Sequence, residues 1–164
     1  MKGIRIKKSI EVFFVILIIM GLCLSAVVLM DAGKKAYGRI LDNNNQLENA
    51  RIALSYLGMR LRQNNSEGAI DYIQKGINNA DTIKLMHSGD LEGMVTYIYY
   101  TDGELKEIYT WAESEPDPEF SESIVSLEGL DIDFIDGYFK FSAHYTEDGH
   151  PRSIEQIIGI VGNE

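Results

Sequence analysis

Hydrophobic positions along this chain follow three successive periods, and each predicts a different element. From Val12 to Met30 lie 19 residues without a charge, apolar on almost every side. As a helix that run is roughly 28 Å long, close to the hydrocarbon thickness of a bilayer. Further on the apolar positions narrow to one stripe: Leu47, Ala50, Leu54, Leu57 and Leu61 recur at steps of 3, 4, 3 and 4, with Arg51, Arg60, Arg62 and Gln63 off it. This predicts a helix that ends at Asn64-Asn65-Ser66 and packs its stripe on whatever follows.

Beyond Ser66 the period becomes two. Three Asp-Gly pairs, Asp102-Gly103, Asp136-Gly137 and Asp148-Gly149, supply the positive φ of tight hairpin turns. Met94 to Tyr100 and Leu105 to Ala112 flank the first. Ile132 and Phe134 precede the second; Phe139, Phe141, Ala143 and Tyr145 follow on one face, with Tyr138, Lys140, Ser142 and His144 on the other. Ile154, Ile158 and Ile160 share a face after the third. A helix over Asp71 to Asn79 and a short strand near Thr82 to Met86 are expected ahead of these hairpins, and Glu113 to Glu119, with Pro116 and Pro118, reads as a loop. Tyr97, Tyr99, Tyr100, Tyr109 and Trp111 make the first hairpin aromatic on both faces. One face packs on the helix stripe; the other is covered by a neighbour or stabilised by cross-strand pairs.

The predicted class is α+β: a long N-terminal helix, one half transmembrane and one half exported, packed on a C-terminal antiparallel sheet. Its parts are a basic leader over 1–9, a membrane helix over 10–30, an exported helix over 31–65 and an acidic sheet domain over 66–164. Gly33, Gly38 and Asn43-Asn44-Asn45 are poor helix formers, so a kink or fray is expected near 31–46. In the plainer alternative, 31–46 is a linker and 47–63 an ordinary helix.

Charge sets the orientation. Lys2, Arg5, Lys7 and Lys8 crowd ahead of the span, whereas Lys34, Lys35 and Arg39 are spread thinly after it, so the positive-inside rule predicts a cytoplasmic N-terminus and an extracytoplasmic C-terminal domain at the cell membrane. A cleaved signal peptide fits less well, because the apolar core exceeds the usual ~7–15 residues and no small-x-small site follows it. Lipoprotein processing is disfavoured by Leu22 ahead of Cys23, the single cysteine. One cysteine also excludes an intrachain disulfide. From Met1 to Asn65 ten basic residues face four acidic ones, net +6; the remaining 99 residues carry five basic and 21 acidic, net −16. Such a domain repels nucleic acid and anionic lipid, so direct nucleic-acid binding is not expected.

Little in the sequence suggests chemistry. His87, His144 and His150 lack metal-site spacing, and no nucleophile elbow or phosphate loop occurs. Asp131, Asp133 and Asp136 before Gly137 break the EF-hand spacing by one residue, and their alternation with Ile132 and Phe134 fits a strand with carboxylates facing water. No catalysis, cofactor or metal is expected.

Glu11 needs an explanation, because a carboxylate within an apolar span costs on the order of 2.5–3.5 kcal/mol at the centre and less at an edge. It can reach the headgroups beside Lys7 and Lys8, or serve assembly. Lys7-Lys8-Ser9-Ile10-Glu11-Val12 and the apolar run after it resemble the start of type IV prepilins and pseudopilins. In that family a glutamate stands at the fifth mature position after a short basic leader, here Lys2, Gly3, Arg5, Lys7 and Lys8. Ala50 to Gln63 looks like the second half of the first helix of minor pseudopilins. Together with Thr96-Tyr97-Ile98-Tyr99-Tyr100-Thr101-Asp102-Gly103, the chain looks most like an uncharacterised pilin-like family of Gram-positive bacteria.

The resemblance implies a subunit that waits in the membrane and then bundles with other pilin-like subunits, on a membrane assembly platform driven by a cytoplasmic ATPase. Glu11 would neutralise a neighbour's terminal amine. If Glu11 is the fifth mature residue, prepilin peptidase cuts after Ile6, where the family has glycine; a cut after Gly3 makes Glu11 the eighth. The expected function is that of a non-enzymatic structural component, a minor pseudopilin or filament-associated subunit of a type IV pilus or type II secretion-like machine. The alternative is a permanently anchored extracytoplasmic binding module that enters no filament.

Overall fold

A computed structural model describes residues 3–161, and the side chains of residues 3–10, Arg39 and Asn43 are outside what it describes. One helix, α1, runs over Gly3–Gln63. Eight strands follow: β1 Ile70–Ile73, β2 Thr82–Met86, β3 Met94–Thr101, β4 Glu104–Trp111, β5 Glu122–Ser126, β6 Gly129–Ile135, β7 Tyr138–Glu147 and β8 His150–Gly159. The chain is therefore α+β, with every strand pairing antiparallel. It divides into two compact units, 1–42 and 43–164, at a boundary inside the stretch 31–46, through which the helix assignment is continuous.

In the second unit the strands form two sheets, one in the order β1-β2-β3-β4-β5 and one in the order β6-β7-β8. Each order is the sequence order, as expected when neighbours are joined by short connections. The three Asp-Gly pairs make the tightest turns: Asp102, Asp136 and Asp148 have φ of 53°, 51° and 52°, and the glycines after them 78°, 80° and 77°. Two successive left-handed residues match the twist of the strands they join, which is why Asp-Gly is selected there.

The main core lies where the α1 stripe meets both sheets. Ala50, Leu54, Leu57 and Leu61 are buried with Ile83, Leu85, Ile98 and Leu105 of the first sheet and Leu130, Ile132, Phe139, Phe141, Ala143 and Ile158 of the second. Leu47 is half-buried, and Ala53, beside the stripe, is fully buried. Gly58 is placed where a Cβ would lie 2.9 Å from Gln156 Nε2 and 3.4 Å from Ile158 Cδ1, so the absent side chain lets β8 approach the helix closely. Two side chains, one on α1 and one just past it, also secure backbone ends. Gln46 accepts from the Thr146 amide at 3.0 Å and Asn65, just beyond the helix, from the Val161 amide at 2.7 Å.

The expected helix over Asp71 to Asn79 does not form. Residues 70–73 pair with β2 in the register Ile70↔Leu85 to Ile73↔Thr82, and Ile77–Asn79 is a single 3₁₀ turn. Lys75, Asn78 and Asn79 adopt positive φ, and Gly76 sits against Thr82; a helix over this stretch would have to forgo both the strand pairing and these turns. The same segment explains the aromatic second face of the first hairpin. Val95, Tyr97, Tyr99 and Ile108 form a small core of their own, packed by Ile73, Ile77 and Ala80. The chain covers that face with its own connection.

Candidate functional site

Two regions of the molecule carry features beyond fold maintenance. The first is the N-terminal part of α1. Between Val12 and Met30 the large apolar side chains lie open, Leu29 at 72%, and the richest 18-residue window of the helix has a mean hydropathy of 3.1. This helix is long and apolar enough to cross a membrane. Glu11 is exposed at its edge. Gly3 begins the helix; Lys2 and the side chains of Arg5, Lys7 and Lys8 lie outside the described residues. Cys23 is exposed within the apolar stretch.

The second region is a cleft of about 520 Å³ beside the end of α1, lined by Arg60, His87, Leu91, Thr96, Glu107, Tyr109, Phe120 and Glu122. Its polar wall joins α1 to β4. Tyr56 and Arg60 stand one helical turn apart, and the Arg60 guanidinium lies 5.3 Å from the centre of the Tyr56 ring. Arg60 Nε donates to the Tyr56 hydroxyl at 2.9 Å and Nη2 to Glu107 Oε2 at 2.7 Å. The Tyr56 hydroxyl in turn donates to the same carboxylate oxygen. Burial, followed by the hydrogen bond to Glu107, pushes the Tyr56 phenol up to about 12 against the opposing pull of Arg60. Tyr56 therefore remains a donor at any physiological pH.

Beside this triad, His87 Nε2 is 2.8 Å from the hydroxyl of buried Thr96, and the imidazole meets the Tyr109 ring edge-on at 5.6 Å. Partial burial, then the nearby Arg60, holds the imidazole below its ordinary 6.5, with Glu107 pulling the other way. Because the folded state takes up this proton less readily than the unfolded chain, the contribution is complete above about pH 6.5 and declines as pH falls through the folded value. We expect His87→Gln to lose less stability than wild type between pH 7 and pH 5, measured by urea melts at each pH. Parallel curves for the two proteins would show that His87 does not couple folding to protons.

The sequence reading did not find this cleft. A signal was present: Leu105, Glu107 and Tyr109 alternate on one face of β4, so a carboxylate occurs at an inward position. Its partners, Tyr56 and Arg60, lie 51 and 47 residues away, and only the register of the helix on the sheet brings them together. Of the three aspartates near the second hairpin, Asp131 and Asp133 are on the water-facing side of β6, as their alternation with Ile132 and Phe134 indicated, and Asp136 is in the turn. Asp131 and Asp133 are exposed while Leu130 and Ile132 are buried, and Asp131 Oδ2 is 2.8 Å from His144 Nε2. Among the described residues, no group of three or more His, Cys, Asp or Glu side chains is arranged to hold a metal ion.

Residues 48–146, which hold most of the stripe and the whole cleft, match the family described as a domain of unknown function, DUF4860. The chain belongs to the DUF4860 family. No curated protein matches it, and no solved structure does. The match begins one residue after Leu47 and ends one residue after Tyr145, so the DUF4860 region takes in the helix stripe from Ala50 onward, the whole first sheet, β6 and all but the last residue of β7. The membrane-length part of α1 precedes it.

Proposed function

We propose that this DUF4860 protein is a single-span, pilin-like structural subunit of the cell membrane, a minor pseudopilin or filament-associated component, with its N-terminus cytoplasmic and its acidic domain extracytoplasmic. The observation that carries this reading is that one helix, Gly3–Gln63, contains both an open, membrane-length apolar stretch and the stripe buried in the core of the sheet domain. A mere anchor needs no such sharing. A helix that carries both lets identical apolar segments bundle while the folded domains stay outside. The basic leader and Glu11 support the same reading, as does the resemblance of Lys7 to Val12 to the start of prepilins. Its partners are then the membrane, other pilin-like subunits and their assembly platform, with prepilin peptidase cutting after Ile6 or Gly3.

Orientation is tested by adding protease to wall-stripped cells: the sheet domain is digested and a tag at Met1 survives. Digestion of the tag with protection of the C-terminus reverses the proposed topology. Assembly is tested at Glu11. Glu11→Gln should insert in the membrane as well as wild type or better, because a desolvation cost is removed, yet co-purify less with other pilin-like subunits and with sheared filaments. Equal co-purification in cells that assemble the filament would sink the assembly role.

The cleft beside Arg60 favours a second reading, a permanently anchored binding module. In that case Glu11→Gln changes neither insertion nor partners, and substitutions at Tyr109 or Phe120 abolish capture of the partner.

A further inference from the structure

The two sheets meet at β1 and β6, and β5 leads into β6 through Leu127 and Glu128. β1 and β6 face one another through Tyr72, whose hydroxyl donates to the Ile132 carbonyl at 3.3 Å and whose ring lies 6.0 Å from Phe134. β5 and β8 have a strand on one side only. The turn at Asp148-Gly149 closes β8 on β7 with the pair Glu147↔His150, so the even-numbered residues of β8 bond to β7. The amides and carbonyls of Ser153, Glu155 and Ile157 then point away from the sheet. An outward row of this kind is a template for another strand.

The surroundings of the two outer edges differ in complementary ways. Beside β8, on the helix side of the sheet, Ser55, Met59, Arg62 and Gln63 of α1 form with Gln156 a shelf enclosing about 410 Å³. Met59 is 45% exposed, and Arg62 is exposed too. Beside β5 the rim is acidic and aromatic: Glu119 precedes it, Phe120 is 77% exposed, and Glu122, opposite Glu107 on β4, is therefore on the helix side as well. A cationic, apolar shelf beside β8 and an anionic, aromatic rim beside β5 lie on the same face of the sheet domain.

We propose that β5 of one copy pairs with β8 of the next, head to tail, so that the sheets of successive copies join edge to edge. The Phe120 ring then covers Met59 and Glu122 meets Arg62. The occupant is a second copy because the match is between the two ends of one surface; a two-fold contact of β8 with β8 would leave both acidic rims unmatched. Such a contact is heterologous, so a joined pair keeps one free β5 and one free β8 edge for further copies. The inference rests on the filament reading only for bringing several copies side by side.

The test uses the full-length chain in its own membranes, with Cys23→Ser and with Ser123→Cys in β5 and Ile157→Cys in β8. Both new thiols are on the face away from the helix, since Ser123 pairs with Lys106 and Ile157 with Lys140, and Ile157 follows Gln156, which lines the shelf with Met59 and Arg62. Mild oxidation should yield a ladder of dimers and higher multimers that requires both cysteines. Dimers from Ile157→Cys alone, cross-links to a different protein, or no cross-links would each overturn the proposal. Arg62→Glu should reduce the ladder about fivefold and Glu122→Arg in the same chain should restore it; loss without restoration, or no loss, goes against the pairing. Glu155→Pro, which removes an outward-pointing amide, should have the same effect as Arg62→Glu without lowering the melting temperature. Repeating the oxidation in Glu11→Gln separates the two ideas. A ladder with unchanged co-purification of other subunits keeps the edge contact and rejects the assembly role of Glu11; reduced co-purification without any ladder in wild type does the opposite.

Discussion

Leu57→Asp abolishes the cooperative melt of the sheet domain. Leu57 is wholly buried, in one cluster with residues of α1 and both sheets, so a carboxylate there has no water and no cation. Truncation of a buried leucine alone costs about 2–5 kcal/mol through lost transfer energy and the cavity left behind. Burial of an unpaired charge adds several kcal/mol more, unless the side chain takes up a proton and pays part of that in pKa. Against a total of about 5–15 kcal/mol for a domain, the sum is close to complete unfolding. The check is near-ultraviolet circular dichroism and Trp111 fluorescence of the detergent-solubilised full chain, since the apolar part of α1 stays helical in detergent and would mask the loss in the far ultraviolet. Leu57→Ala should fall between the two, and exposed Gln63→Ala should stay within about 0.5 kcal/mol of wild type. A wild-type transition in Leu57→Asp would mean that the stripe does not hold the domain together.

Glu107→Ala is expected to be the most damaging change outside the apolar core, at about 2–3 kcal/mol. It removes the acceptor of two hydrogen bonds at once and strands the Arg60 guanidinium and the Tyr56 hydroxyl in a site where the Glu107 side chain is 15% and the Arg60 side chain 27% exposed. A fully buried pair broken on one side costs about 3–5 kcal/mol, and the partial exposure of this one lowers the figure. Replacing both charges, as in Arg60→Met with Glu107→Leu, should recover most of the loss, because no unpaired charge remains. Urea melts of the two singles and the double give the coupling directly. Additive effects within about 0.5 kcal/mol would show that the triad is a surface ornament rather than a joint between helix and sheet.

The two experiments probe different links between sequence and function. The first asks whether the striped half of α1 is part of the domain; the second asks whether the cleft that half helps to form has a rigid wall. Both matter for the filament reading, because a helix that can swing away from its sheet could not present the β8 shelf in a constant position.

Periodicity along the chain was enough to place the main elements. Nineteen uncharged residues from Val12 to Met30 can only satisfy their backbone and their side chains together as an apolar helix, and steps of 3 and 4 from Leu47 to Leu61 admit no other element. The Asp-Gly pairs dictated where three hairpins turn, because their φ preference is local and needs no tertiary support. Local signals failed at Asp71 to Asn79, where Ile70, Ile73 and Ile77 mimic a helical period; the bonding groups of β2 on one side and the need to cover Tyr97 and Tyr99 on the other decided for a strand and a turn. The cleft was beyond the sequence for the same reason. Tyr56, Arg60 and Glu107 are each unremarkable in their own elements, and their meeting depends on the rotation of α1 about its axis and on the register of β4, both set by how the Leu57 stripe and Leu105 pack. Local conformational preference writes elements into a sequence, whereas the pairing of residues some 50 positions apart exists only once a core has chosen one arrangement of those elements.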